Sequence, residues 1–192
     1  MRVIAGLLVA LSVAASVAPG EEVRLYYSRQ RYNVEMGFSG AIHPGTLFTP
    51  AAEQYPVFLK RVHIYFGDRG YPVDVKVWSA AGSVVGSVLA SFPVTTEMYP
   101  TWTEVDVGGA GVLVREGNNF FVSTNDRTGR DMRPLMVCDY PGAYGGHHFI
   151  SADDETWQLQ TIYDLSIECT VETNYDIGVA PASLGRVKAL YR

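Results

Sequence analysis

Val57–Trp78 reads VFLKRVHIYFGDRGYPVDVKVW, and both of its halves alternate. In the first, Val62, Ile64 and Phe66 share a face opposite Arg61, His63 and Tyr65. In the second, Val73, Val75 and Val77 oppose Asp74, Lys76 and Trp78. A single apolar row with period two marks a strand with one buried face. Between the halves, Gly67 and Gly70 permit a reversal and Pro72 restarts an extended chain. The stretch predicts an antiparallel hairpin at the centre of a β-sandwich.

The same alternation recurs outward from this stretch. Thr103, Val105 and Val107 oppose Trp102, Glu104 and Asp106, while Leu165, Ile167, Cys169 and Val171 oppose Ser166, Glu168, Thr170 and Glu172. Shorter strand candidates are Val23–Tyr27, Val34–Phe38, Thr46–Thr49, Ser83–Phe92, Val112–Val114, Phe120–Thr124, Leu135–Cys138 and His147–Ser151. Gly, Pro and Asn clusters separate them. Ala51–Gln54 offers one helical turn, stopped by Pro56. Helical periodicity is otherwise nearly absent. The pattern predicts an all-β chain: a two-sheet antiparallel sandwich of jelly-roll or Greek-key type. The sandwich spans residues 21–172 of the 192, followed by a linker and basic tail at 173–192 with Arg186, Lys188 and Arg192.

Met1–Gly20 carries Arg2, an apolar run from Val3 to Ala15 and then small residues, the layout of a secretory signal. The run is short for a bilayer span, so no stable membrane span is expected after cleavage, and the location is secreted or cell envelope. The formal net charge of −5 and the lack of a basic cluster interleaved with aromatics argue against nucleic acid as a partner. The two cysteines, Cys138 and Cys169, have two readings. An exported chain permits a disulfide, stabilising by roughly 3–4 kcal/mol. Alternatively, Cys169 is simply a small buried member of its apolar row.

Six stretches carry a resemblance: GTLFTP (Gly45–Pro50), VHIYF (Val62–Phe66), TWTEVDV (Thr101–Val107), NNFFVS (Asn118–Ser123), HHFISADDETW (His147–Trp157) and YDLSIECTV (Tyr163–Val171). In this order, from about Tyr26 to Glu172, they resemble a β-sandwich accessory module of large secreted bacterial proteins, among them extracellular peptidases and adhesin-like chains. The resemblance implies a jelly-roll-like domain without catalytic residues of its own, in which the Ser-x-Asp-x-x-x-Trp turn precedes the last core strand.

Chemistry requires a nucleophile or base held by a second group. The histidines are His43, His63, His147 and His148, and no hydrolase, zinc or phosphate-loop motif accompanies them. His148 with Asp153 or Asp154 is the one acid–base pair to consider for a small hydrolase. The turn Asp153, Asp154, Glu155 offers oxygens for calcium, with Asp126 and Asp131 in a second acidic loop, although neither has the spacing of a defined calcium loop. Otherwise no cofactor is expected. Aromatics on polar rows or in Gly-rich loops (Tyr65, Trp78, Trp102, Tyr140, Tyr144 and Trp157) suit the apolar faces of sugar rings, or else lie covered. The expected function is therefore a non-catalytic module for binding or adhesion, with polysaccharide as ligand. The alternative is a structural module that packs against neighbouring protein domains.

Overall fold

The computed structural model describes residues 20–37, 42–127 and 133–174. The signal-like segment 1–19, Asp131 and the basic tail residues lie outside them. No helix among the described residues is long and apolar enough to cross a membrane.

Among the described residues, fourteen strands form in chain order: β1 (Glu22–Leu25), β2 (Val34–Gly37), β3 (His43–Phe48), β4 (Val57–Ile64), β5 (Pro72–Ala81), β6 (Val84–Thr95), β7 (Thr103–Asp106), β8 (Leu113–Val114), β9 (Asn119–Asp126), β10 (Leu135–Asp139), β11 (His148–Ser151), β12 (Trp157–Gln160), β13 (Asp164–Leu165) and β14 (Ile167–Glu172). One sheet has the order β1-β14-β4-β7, with β8 also on β4. The opposing sheet runs β12-β11-β3-β9-β5-β6, and a small third sheet runs β13-β10-β2. All the strand pairings are antiparallel. The all-β antiparallel sandwich read from the alternation is therefore the architecture, with a third sheet added at one end.

The core forms where the apolar rows of the two large sheets meet. Val62 and Ile64 of β4, Val105 of β7, and Ile167, Cys169 and Val171 of β14 belong to one buried cluster. Val73, Val75 and Val77 of β5, Phe120 and Val122 of β9, and Phe48 of β3 complete it. Here the expected hairpin is corrected. β4 pairs with β14, β7 and β8, whereas β5 pairs with β6 and β9. The Gly67–Tyr71 break carries the chain from one sheet to the other. The two apolar rows of Val57–Trp78 face each other across the core instead of lying side by side. The real hairpin is β5–β6, closed by Gly82-Ser83 between the paired Ala81 and Val84, with Gly82 at φ 57°.

Both cysteines are buried free thiols, so the bridge reading is also corrected. Cys138 pairs with Leu165 and Val34 in the small sheet, and Cys169 with Leu25 and Val62 in a large one. Both belong to the main core. Burial pushes both thiols well above the usual range.

The six-stranded sheet curls. Trp157 of β12 lies 5.8 Å from Trp78 of β5, centroid to centroid. On a flat sheet, four strand spacings would separate them by roughly 19 Å. The concave outer face closes on a second apolar cluster of Leu47, Trp78, Ala80, Phe121 and Phe149, with Trp157 packed against it. Gly45 makes this possible, because a Cβ there would stand 2.2 Å from Phe121 Cζ.

Candidate functional site

The outer face of the other large sheet is built differently. In the β4–β7 ladder, Ile64 pairs with Thr103 and His63 with Glu104. Continuing that register one step past the strand ends sets Tyr65 opposite Trp102, both on the outward row. Their rings stack, with centroids 3.3 Å apart and planes 15° from parallel. The backbone holds Tyr65 in place: its N–H donates to Ser166 O at 3.2 Å and its carbonyl accepts from Val137 N at 3.0 Å. Tyr32 meets Tyr65 edge-on at 4.9 Å and Trp102 at 6.0 Å, and Tyr99 meets Tyr65 edge-on at 5.0 Å. Arg24 lies over the Trp102 ring, 4.7 Å from its centroid.

Beneath these rings is Glu168, only 1% exposed although it points outward from β14. Its Oε2 accepts from Arg24 Nε at 2.5 Å. Its Oε1 accepts from Tyr32 Oη at 2.5 Å and Gln30 Nε2 at 3.3 Å. A buried carboxylate persists only with such charged and hydrogen-bonded partners. Burial, then the Glu168 carboxylate, pushes the phenols of Tyr32 and Tyr65 upward. His63 shares the floor, its Nε2 2.9 Å from Thr170 Oγ1. Burial and then Arg24 pull its imidazole below its ordinary value. Arg24, Gln30, Tyr32, Tyr65, Trp102 and Glu168 enclose an open cleft of about 410 Å³.

Two features mark this cleft as unlike ordinary surface. Gln30 and Tyr32, which both reach Glu168, have φ of 56° and 47°. Non-glycine residues held there cost on the order of 1–3 kcal/mol each, and such positions cluster at functional sites. The Tyr32 N–H donates to the Asp139 carboxylate, which secures that conformation. In addition, Arg24 Nη2 is enclosed without any hydrogen-bond acceptor, and His63 Nδ1 stands 3.3 Å from Glu104 Oε1 without hydrogen-bond alignment. A buried donor without a partner costs about 1–3 kcal/mol.

The other residues singled out from the sequence lie elsewhere. Trp78 is buried in the concave cluster, where its Nε1 donates to Ser123 Oγ at 2.9 Å, and half-buried Trp157 covers it. Their expected role as sugar contacts is corrected for Trp78: the curl of its own sheet covers it. Tyr140 and Tyr144 are 50% and 40% exposed on a loop that Asp164 anchors. That carboxylate accepts from Ala143 N at 2.7 Å and Tyr144 N at 2.9 Å. In the acidic turn, Asp153 Oδ1 accepts from Thr156 N at 2.7 Å and Glu155 N at 2.9 Å, which holds its carboxyl below the usual range. Asp154 takes His43 Nδ1 and Lys76 Nζ, both at 2.5 Å. Glu155 does not join them in a ligand set: among the described residues, no three His, Cys, Asp or Glu side chains converge to hold a metal ion. The turn leads into the edge strand β12, not into the last core strand, which is β14.

No family model matches the chain, and no curated protein matches it. Among solved structures it is similar to the clostridial cysteine protease Cwp84 after propeptide cleavage, with a TM-score of 0.58 and 12% identity over 80% of this chain and 40% of that one. The likeness is one of fold. A structure of the cysteine protease and lectin-like domains of Cwp84, a surface-layer-associated protein of Clostridium difficile, aligns at a TM-score of 0.49 and 13% identity, over 69% of this chain and 32% of that one. The chain thus spans about two fifths of the length of the first of these proteins.

Neither cysteine here has the exposure that a nucleophilic thiolate requires. His148 does not reach Asp153 or Asp154 in any hydrogen bond. Its Nε2 donates to Tyr27 O at 2.8 Å, its Nδ1 is 3.1 Å from Thr46 Oγ1, and Asp164 Oδ1 is 3.6 Å away. His148 and Asp164 are both fully buried, and burial pulls the His148 pKa down to about 4. The pair ties the 140–147 loop and the segment at Tyr27 to the sheet.

Of the cleft residues, the outward alternation pointed to Tyr65 and Trp102. It also placed Glu168 on the outward row, where solvent was expected. Arg24 sat in the strand candidate Val23–Tyr27, Gln30 and Tyr32 in the polar segment Ser28–Asn33 after it, and none carried a further signal.

Proposed function

We propose that this chain is a non-catalytic carbohydrate-binding module of an extracytoplasmic protein. The observation that carries the reading is the cleft of Tyr32, Tyr65, Tyr99 and Trp102 over the Arg24–Glu168 pair. Aromatic walls supply apolar contact for sugar C–H groups, and a few fixed polar side chains orient hydroxyls. The left-handed backbone at Gln30 and Tyr32 supports a site organised in advance of its ligand, which lowers the cost of binding. The fold is similar to part of a clostridial cysteine protease, which is compatible with an accessory module. The buried thiols and the buried His148–Asp164 pair support a module without its own catalysis.

Glycan-array screening of the purified chain tests the proposal. Binding is expected, with loss in Trp102→Ala and Tyr65→Ala while the circular dichroism spectrum stays that of the sandwich. Both residues lie outside the main core, so the fold should survive. An array blank across neutral, amino and acidic sugars contradicts the proposal.

A second reading, packing against a neighbouring domain, draws on a different surface. Leu159 and Ile162 are 53% and 57% exposed beside an apolar hollow lined by Met36, Ile42, Ile150 and Tyr163. Isolated exposed apolar residues are ordinary, but a contiguous patch points to an interface. Leu159→Ser with Ile162→Ser should leave glycan binding unchanged and raise solubility if this face packs on a neighbour.

A further inference from the structure

Resting on the carbohydrate reading, we infer that the cleft recognises an N-acetylated amino sugar through its acetamido group. The inference starts from which hydrogen-bonding groups are spent. Glu168 already accepts from Arg24, Tyr32 and Gln30, so it has little capacity left for ligand hydroxyls. Arg24 uses Nε alone. Its side chain is 35% exposed while Nη2 is enclosed, which leaves Nη1 as its polar atom toward the opening. Gln30 is exposed and uses one amide hydrogen, leaving its carbonyl oxygen free. The cleft therefore lacks an acceptor for Arg24 and a donor for Gln30 Oε1. A secondary amide carries both on one planar group: its C=O takes the guanidinium and its N–H meets the Gln30 oxygen.

The aromatic walls favour the same group. Tyr65 at 3.3 Å leaves no room on its side of Trp102, so Arg24 must cover the opposite face. A pyranose ring therefore has no open Trp102 face on which to stack. What remains are ring edges and the tyrosines set nearly perpendicular to Tyr65, a small apolar corner that suits a methyl group better than a sugar plane. Charge argues against an acidic sugar. Glu168 balances Arg24, and Glu104, 54% exposed beside His63, adds a negative charge near the rim.

The test compares calorimetric titration of the full chain with two probes of the same linkage: the β-1,4-linked N-acetylglucosamine tetramer and the β-1,4-linked glucose tetramer. The acetylated tetramer is expected to bind at least tenfold more tightly. Gln30→Gly should weaken it about tenfold while holding or raising thermal stability, because glycine accepts the positive φ. Arg24→Lys, which keeps a cation for Glu168 but loses the planar fork, should weaken it similarly. Equal affinity for both tetramers, or full binding by Gln30→Gly, overturns the acetamido inference and leaves the carbohydrate reading standing. Failure of both tetramers alongside a positive array for other sugars also overturns the inference alone. Failure of every sugar overturns both.

Discussion

Trp78 and Trp102 look alike in the sequence, each on the polar row of an alternating strand, yet they meet opposite fates. Trp78 is roofed by Trp157 and Phe149 because its sheet is wide enough to curl over itself. Trp102 directly precedes a four-residue strand on a narrower sheet, where Arg24, Tyr32 and Tyr65 approach it without sealing it from solvent. The first face is a second core, and the second is a cleft with a buried charge beneath it. An outward aromatic in a strand therefore stays available to a ligand only where the fold leaves part of it uncovered.

The comparison breaks most visibly in stability. Trp78→Ala should cost about 3–5 kcal/mol in urea unfolding, through the lost packing and the Ser123 hydrogen bond. Trp102→Ala should cost only about 1–2 kcal/mol while abolishing glycan binding. Similar costs for the two would erase the distinction between core and cleft.

Acidification probes the inward row of the six-stranded sheet, where His148 pairs with Thr46. His148 is held neutral with its pKa lowered to about 4 from 6.5, so the unfolded chain takes up the proton first as pH falls. Its contribution is intact above about pH 6.5 and lost progressively toward pH 4, a decline of about 3 kcal/mol. Unfolding free energies between pH 7 and 4 should show that slope, and His148→Gln should flatten it.

Smaller effects sharpen the contrast. Gly45→Ala forces a Cβ into Phe121 and should cost about 1–3 kcal/mol, measured by thermal melting, without touching the cleft. Tyr144→Ala, on the exposed loop, should change stability by no more than about 0.5 kcal/mol. Glycan binding equally lost in Tyr144→Ala and Trp102→Ala would extend the site to that loop.

The alternation of Val57–Trp78 revealed which rows face the main core, because period two is a property of each strand by itself; it did not reveal that Trp78 on the opposite row is buried as well. It could not reveal the partners of β4 and β5. Two apolar rows satisfy burial equally well side by side or face to face, and the choice depends on distant strands such as β14 and β9. Glu168 illustrates the same limit: its outward direction was legible, but the segment that buries it was not. Gln30 and Tyr32 were silent because positive φ in non-glycine residues leaves no compositional trace. The turn at Ser151–Trp157 was legible as a turn, since Ser and Asp side chains cap backbone N–H groups locally.

The central claim is that ligand contact belongs to the Tyr65–Trp102 face and not to the Trp78–Trp157 face. Backbone amide and indole N–H chemical shifts, recorded by NMR while a glycan hit from the array is titrated in, test it most directly. The account predicts saturable shifts at Tyr32, Tyr65, Trp102 and Glu168 with the Trp78 and Trp157 indoles unmoved. Shifts confined to Trp78 and Trp157, with Trp102 silent, would contradict it.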